Sequence, residues 1–141
     1  MKPELLAPAG SLAKLKCALH FGADAVYAGG KSFSLRAFSN NFTHDELAVG
    51  IEFAHTLGKK VYVAVNIFAR NADLKELSSY FAALAKMGAD AVLISDLGVL
   101  AVCKQAAPGL PVHLSTQATV TNAAACRLSA SPGPRPSPLA R

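Results

Sequence analysis

Seven polar residues stand where short apolar runs of this chain give way to loops. Lys31 and Arg36 follow AVYAGG, Asn66 and Arg70 follow VYVAV, Asp96 follows AVLIS, and Ser115 and Gln117 follow PVHL. Their types suit binding better than cleavage. Asn and Gln amides each carry a donor and an acceptor edge, Arg grips phosphate or carboxylate through two parallel hydrogen bonds, and Lys adds a point charge. Such a rim fits an RNA segment or a small carboxylic acid. Taken singly, each residue has a plainer role as a helix cap or loop-solvating group, and Asp96 is well placed to cap the helix that follows it.

Hydrolytic machinery is not legible in the same residues. His20 and His55 fall on helical patterns, His44 sits in a capping sequence, and His113 lies inside an apolar run. Ser115 and Asp96 stand at strand ends with no base in view, and no H-E-x-x-H pair offers zinc ligands. Cys17, Cys103 and Cys126 are widely spaced and form no C-x-x-C pair. They read as reduced thiols on helices, not as a metal site. No catalytic residue and no metal ligand is assigned.

The elements that must position the rim are written in a repeat. Gly-Ala-Asp-Ala-Val occurs at Gly22–Val26 and again at Gly88–Val92, 66 positions later. Leu12, Leu15 and Leu19 precede the first copy at helical spacing, and Leu74, Leu77, Phe81 and Leu84 precede the second. Gly then ends each helix in the left-handed conformation, and an apolar run suited to a buried parallel strand follows. The same order recurs from THDELAVGIEFAHTLG to KKVYVAVNIF, with Thr43 and Glu46 forming a capping box. A fourth helix near Leu97–Ala107 leads past Pro108-Gly109 to PVHLS. With ELLAP at the start, five strands begin near residues 4, 25, 60, 91 and 111, and VTNAAACR opens a fifth helix capped by Thr121 or Asn122.

Repeated βα units with right-handed crossovers give a parallel sheet, either doubly wound or closed as a barrel. A dinucleotide fold would need G-x-G-x-x-G after its first strand, where APAGSLAKL has a single Gly10. GGKS at Gly29–Ser32 imitates the end of a phosphate loop, but Ala25 stands where the first Gly belongs, and FSLRAFSNN is not helical in pattern. Collection of polar residues past the strand ends fits a (β/α)8 barrel, which keeps its sites on that rim. The Gly29–Asn41 connection exceeds the usual turn of about 2–6 residues, and it carries Lys31 and Arg36. The expected fold is an incomplete (β/α)8 TIM-type α/β barrel of about five parallel βα units over residues 1–126. A disordered Pro/Arg/Ser tail over 127–141 follows it.

That tail distorts the composition. The 141-residue chain has a net charge of +5, yet Arg127, Arg135 and Arg141 supply +3 of it with no acid nearby. The remainder holds 11 basic and 9 acidic residues, too even to argue by itself for a polyanion partner. Pro132, Pro134, Pro136 and Pro138 alternate and forbid helix or ladder there, so the tail reads as a shifted frame or a truncated end. No apolar run reaches the ~18 residues of a membrane span. MKPELLAPAG has no signal-peptide core, and the expected compartment is the cytoplasm.

PELLAPAG, GADAVYAGGKSFSLRAFSNNFTHDEL, GKKVYVAVNIFARN, SDLGVL and HLSTQATVTN together resemble the N-terminal barrel of peptidase family U32, the collagenase-like proteases, over about residues 2–126. The likeness is greatest to the bacterial branch linked to 5-hydroxyuridine formation in tRNA. Sister branches act in rRNA hydroxylation, ubiquinone synthesis and collagen proteolysis. The resemblance implies tRNA uridine hydroxylation, prephenate-linked or iron–sulfur-dependent, as the work of full-length relatives, with tRNA or peptide as substrate. It also implies an iron–sulfur cluster held by cysteines downstream of this chain, so no cofactor is expected in the chain itself. The chain then reads as a truncated member, inactive alone, whose exposed strand edges drive self-association. The alternatives are a non-catalytic interaction module and a genuine U32 peptidase. Leu97 stands where the family usually has Pro, and Thr119 where Asn is common.

Overall fold

Glycine stands in the first three turns from helix back to strand. Gly22, Gly58 and Gly88 have φ of +103°, +65° and +82°, a region only Gly enters without steric cost. The computed structural model describes residues 3–35 and 41–130. Strands β1 (Leu6–Ala9), β2 (Ala25–Gly29), β3 (Lys60–Val65), β4 (Ala91–Ile94) and β5 (Val112–Leu114) alternate with helices. The helices are α1 (Leu12–His20), α2 (His44–Thr56), α3 (Asn71–Met87), α4 (Leu97–Ala106) and α5 (Ala123–Ala130). A short 3-10 turn covers Thr116–Ala118.

Helix starts follow the expected chemistry. Ser11 accepts from Lys14 N, and Asp96 Oδ1 accepts from Val99 N at 2.8 Å. Thr43 and Glu46 close the capping box in both directions. Asn122 Oδ1, rather than Thr121, takes the Ala125 N–H at 2.9 Å. Helix α5 continues through Arg127 to Ala130, four residues that the sequence assigned to the tail. AAACRLSA is a good helix former once capped, and the first proline comes only at Pro132. The expectation for the tail beyond Ala130 falls outside the described residues.

All four strand pairings are parallel, and the sheet order is β1-β2-β3-β4-β5. A doubly wound sheet reverses its order at a switch point; a strictly sequential order is how a (β/α)8 barrel is laid down. These five strands therefore form a partial TIM-like barrel. One face, including Val26, Val63, Val92 and Ile94, packs beneath the helices against Leu15, Leu47, Leu77 and Phe81. The other carries a smaller inner cluster of Ala25, Tyr62, Ala91 and Leu93.

The repeated aspartate fastens the N-terminal ends of the strands. Asp24 Oδ2 accepts the Leu5 N–H at 3.0 Å, and Asp90 Oδ2 accepts the Val61 N–H at 2.8 Å. Each thus ties the strand it precedes to its earlier neighbour. Lys59 pairs with Asp24 and His55 with Asp90, both at 3.0 Å. Within the barrel near the same end, Glu4 accepts from the Tyr62 hydroxyl at 2.6 Å and from Lys60 at 2.9 Å. The Tyr62 ring also meets His113 edge-on at 4.7 Å.

Candidate functional site

At the C-terminal ends of the strands the chain stops pairing with itself and opens two cavities. Asn66 organises them. Its backbone N–H donates to Phe33 O at 3.2 Å, and its side-chain Oδ1 accepts from Leu35 N at 3.3 Å. The end of β3 thereby holds the long connection that leaves β2. A backbone N–H can only donate, so the Asn66 atom facing Leu35 is oxygen, and Nδ2 must face the other way. Nδ2 donates to Gln117 Oε1 at 2.8 Å, and the Ser115 hydroxyl donates to the same oxygen at 2.9 Å. The 3-10 turn after β5 supplies this register by bringing Gln117 back over Ser115.

The Asn66–Gln117 pair, with Leu35, forms a wall shared by both cavities. On one side lies the central mouth of the barrel, about 290 Å³. Leu6, Pro8, Ala64 and Leu93 give it an apolar lining, and Tyr27, Ser34, Asn41 and Ser115 add hydroxyl and amide groups. No Asp, Glu, Lys, Arg or His is among the described residues that line it. On the other side lies a lateral cleft of about 310 Å³, lined by Phe68, Arg70, Ser95 and Asp96.

The described residues of the connection between β2 and α2 are packed and do more than join the two elements. Phe33 and Phe42 are buried, and Gly30 bridges to Phe42 as an added parallel pair. Two hydroxyls explain the paired glycines. A Cβ on Gly29 would lie 2.6 Å from Ser34 Oγ, and one on Gly30 would collide with the Tyr80 hydroxyl. GGKS is thus a close-packing signature. Tyr80 is itself buried between Phe33 and His44, with ring centroids at 5.0 and 5.5 Å.

The structure brings Asn66, Ser115 and Gln117 together at the mouth, and Arg70 and Asp96 beside them in the cleft. Asp96 combines its two expected roles, capping α4 through Oδ1 while lining the cleft. Lys31 lines neither cavity; its charge acts on Glu46 at the start of α2. Arg36 lies outside the described residues. Tyr27, Ser34, Asn41 and Phe68 line the cavities without having been singled out. Phe68 alone carried a legible signal, an aromatic three residues past the end of β3 and two residues before Arg70.

Nucleophile chemistry finds no support among the described residues. The Ser115 hydroxyl is committed to Gln117, and the His113 ring packs on Tyr62 with its basicity lowered by burial. Burial also pushes the Cys103 thiol up to about 11, so it stays protonated at neutral pH. Cys17 is exposed on α1 and Cys103 buried on α4. Among the described residues no three His, Cys, Asp or Glu side chains gather closely enough to share a metal ion. These residues do not fit an iron–sulfur centre. No helix of the described residues is long and apolar enough to cross a membrane.

A sequentially wound parallel barrel segment with a polar mouth at its strand C-termini defines the class. Residues 10–141 match the model of peptidase family U32, and the chain belongs to that family. It is 47% identical over 121 residues to tRNA hydroxylation protein P1 of Bacillus subtilis (strain 168), covering 86% of this chain and 29% of that protein. It is also 47% identical over 121 residues to tRNA hydroxylation protein P of Escherichia coli (strain K12), covering 86% of this chain and 27% of that one. A relative from Porphyromonas gingivalis (strain ATCC BAA-308 / W83) named collagenase is 36% identical over 125 residues, 88% of this chain and 30% of its own length. The chain thus spans under a third of each of these proteins. The solved structure of the U32 peptidase Mk0906 superposes with a TM-score of 0.68 at 14% identity, over 89% of this chain and 55% of that one, a likeness of fold.

Proposed function

We propose that this chain supplies the substrate-binding mouth of a protein acting in tRNA hydroxylation, with RNA as the ligand held over the strand C-termini. The observation that carries it is the Leu35–Asn66–Gln117–Ser115 hydrogen-bond relay. It presents fixed amide groups in a mouth free of charged side chains among its described lining residues. Base edges are read by such donors and acceptors, while peptide cleavage needs a nucleophile poised against a base. The 47% identity to two proteins named for tRNA hydroxylation supports the same choice.

In this reading, Arg70 and Arg36 contact phosphate, and the hydroxylation chemistry, with any iron–sulfur cluster, belongs to segments that full-length relatives add. This chain alone binds without turnover, works in the cytoplasm, and self-associates through the outer edges of β1 and β5, unpaired among the described residues. The test measures binding of bulk tRNA to the chain across salt, beside gelatin cleavage. Gln117→Ala is expected to weaken tRNA binding at least several-fold, and Arg70→Ala to weaken it and flatten its salt dependence. Gelatin cleavage lost in Gln117→Ala, with tRNA binding unchanged, favours the second reading that the collagenase-named relative suggests.

A further inference from the structure

We propose that the lateral cleft is a subsite for one unstacked nucleobase. This base is the neighbour in the strand of the base held in the central mouth; Phe68 is its stacking surface and Arg70 meets its phosphate. The inference rests on the RNA reading above and adds a second nucleotide position to it.

Phe68 is 87% exposed, while Phe33, Phe42 and Phe81 are buried. A single exposed apolar side chain is ordinary, so its surroundings must carry the argument. Phe21 is equally bare, but it ends α1 and lines neither cavity. Phe68 forms part of a cleft, on a loop at the C-terminal end of a strand, where such barrels bind their ligands. The ring has no aromatic neighbour among the described residues, so its face is open for stacking. At about 310 Å³ the cleft lies at the lower bound of cavities that hold whole small molecules, which suits one base and its sugar.

The polar groups of the cleft are sorted by the same relay that shapes the mouth. Gln117 Oε1 is occupied by Asn66 and Ser115, leaving Nε2 as the donor that Gln117 offers. Asp96 Oδ1 is occupied by Val99 N, leaving Oδ2 as an acceptor. A flat apolar face, one donor, one acceptor and an arginine two residues from the ring are the complement of a nucleotide. An apolar peptide side chain would leave the donor and acceptor without partners.

The shared wall gives the arrangement its purpose. Enzymes that act on a base first take it out of the stack, which costs the contact with its neighbour. A wall of side chains shared by the two cavities parts consecutive bases, and Phe68 restores to the outer base the stacking it has lost.

The test uses the full chain and two labelled single-stranded nonamers, oligouridylate and the same ribose-phosphate backbone without bases, titrated by anisotropy at several salt concentrations. Phe68→Ala is expected to weaken oligouridylate binding by roughly 5- to 150-fold, the range of one base–aromatic stack. It should leave abasic binding and the salt slope unchanged, while Phe68→Tyr restores the affinity. Arg70→Ala should instead reduce the salt slope on both strands. Unchanged oligouridylate affinity in Phe68→Ala, or an equal loss on the abasic strand, removes the subsite while the RNA reading stands. A wild-type chain that binds neither strand, or binds both alike, contradicts the RNA reading itself and the subsite with it. If gelatin-derived peptides lose affinity in Phe68→Ala while oligouridylate does not, the cleft is a peptide site.

Discussion

Replacing Tyr80 by Phe should stabilise this protein, against the usual direction for a buried tyrosine. The Tyr80 side chain is 7% exposed, and its hydroxyl has no hydrogen-bond partner among the described residues. It occupies instead the space that a Cβ on Gly30 would need, with the Phe33 and His44 rings beside the aromatic ring. Leaving a buried hydroxyl without a partner costs about 1–3 kcal/mol, whereas its few dispersion contacts return only tenths. Tyr80→Phe should therefore gain about 1 kcal/mol, read as a rise in the urea midpoint at constant slope and a thermal midpoint about 3 °C higher. A pH series adds a second reading. Burial pushes the Tyr80 phenol up to about 12 from 10. The folded state then holds its proton where the unfolded state releases it, so stability is full below pH 10 and falls as pH rises toward 12. Tyr80→Phe removes that part of the alkaline loss. A destabilisation of 1 kcal/mol or more would refute the reasoning, because it would show that the hydroxyl is bonded in the folded protein.

Three further outcomes are expected. Thr119 has φ of +54°, a left-handed conformation that is costly for a β-branched residue and tolerated by Asn, so Thr119→Asn should stabilise by about 1 kcal/mol in denaturant titration. Burial works against the charged Glu4, but its bonds to Tyr62 and Lys60 prevail and hold the carboxyl below its ordinary value. Its contribution should be present above pH 4.5 and lost as pH falls through the lowered value, and Glu4→Gln should make acid unfolding less steep. The outer edges of β1 and β5, unpaired among the described residues, should make the chain self-associate, visible as a weight-average mass that rises with concentration in sedimentation; a monomer at every concentration contradicts this.

The repeat made the architecture readable because each of its residues acts locally. Gly22, Gly58 and Gly88 end helices by their own backbone freedom, and Thr43, Glu46 and Asp96 cap within three residues of themselves. The convergence of Asn66, Ser115 and Gln117 was also legible, since parallel strands of one sheet must end on one rim. What stayed hidden depends on contacts distant in sequence. Gly29 and Gly30 gain their meaning from Ser34 and from Tyr80, fifty positions on. Lys31 stands away from the mouth, its backbone N–H donating to Phe42 O and its charge acting on Glu46 of α2. The Asp shared by the two repeat copies ties neighbouring strands together, a role visible only once those strands are paired. Phe68 closes the run KKVYVAVNIF in the sequence, and only its exposure shows that it stands on a loop past the strand.

In the proposed reading RNA lies over the C-terminal mouth. Ultraviolet crosslinking of bound tRNA to the full chain, followed by mapping of the crosslinked peptides, tests it most directly. Crosslinks are expected in the segments holding Tyr27, Phe68 and Ser115–Gln117, weakened in Gln117→Ala. Crosslinks confined to the helical exterior, or to the N-terminal end around Asp24, Tyr62 and Asp90, would contradict it.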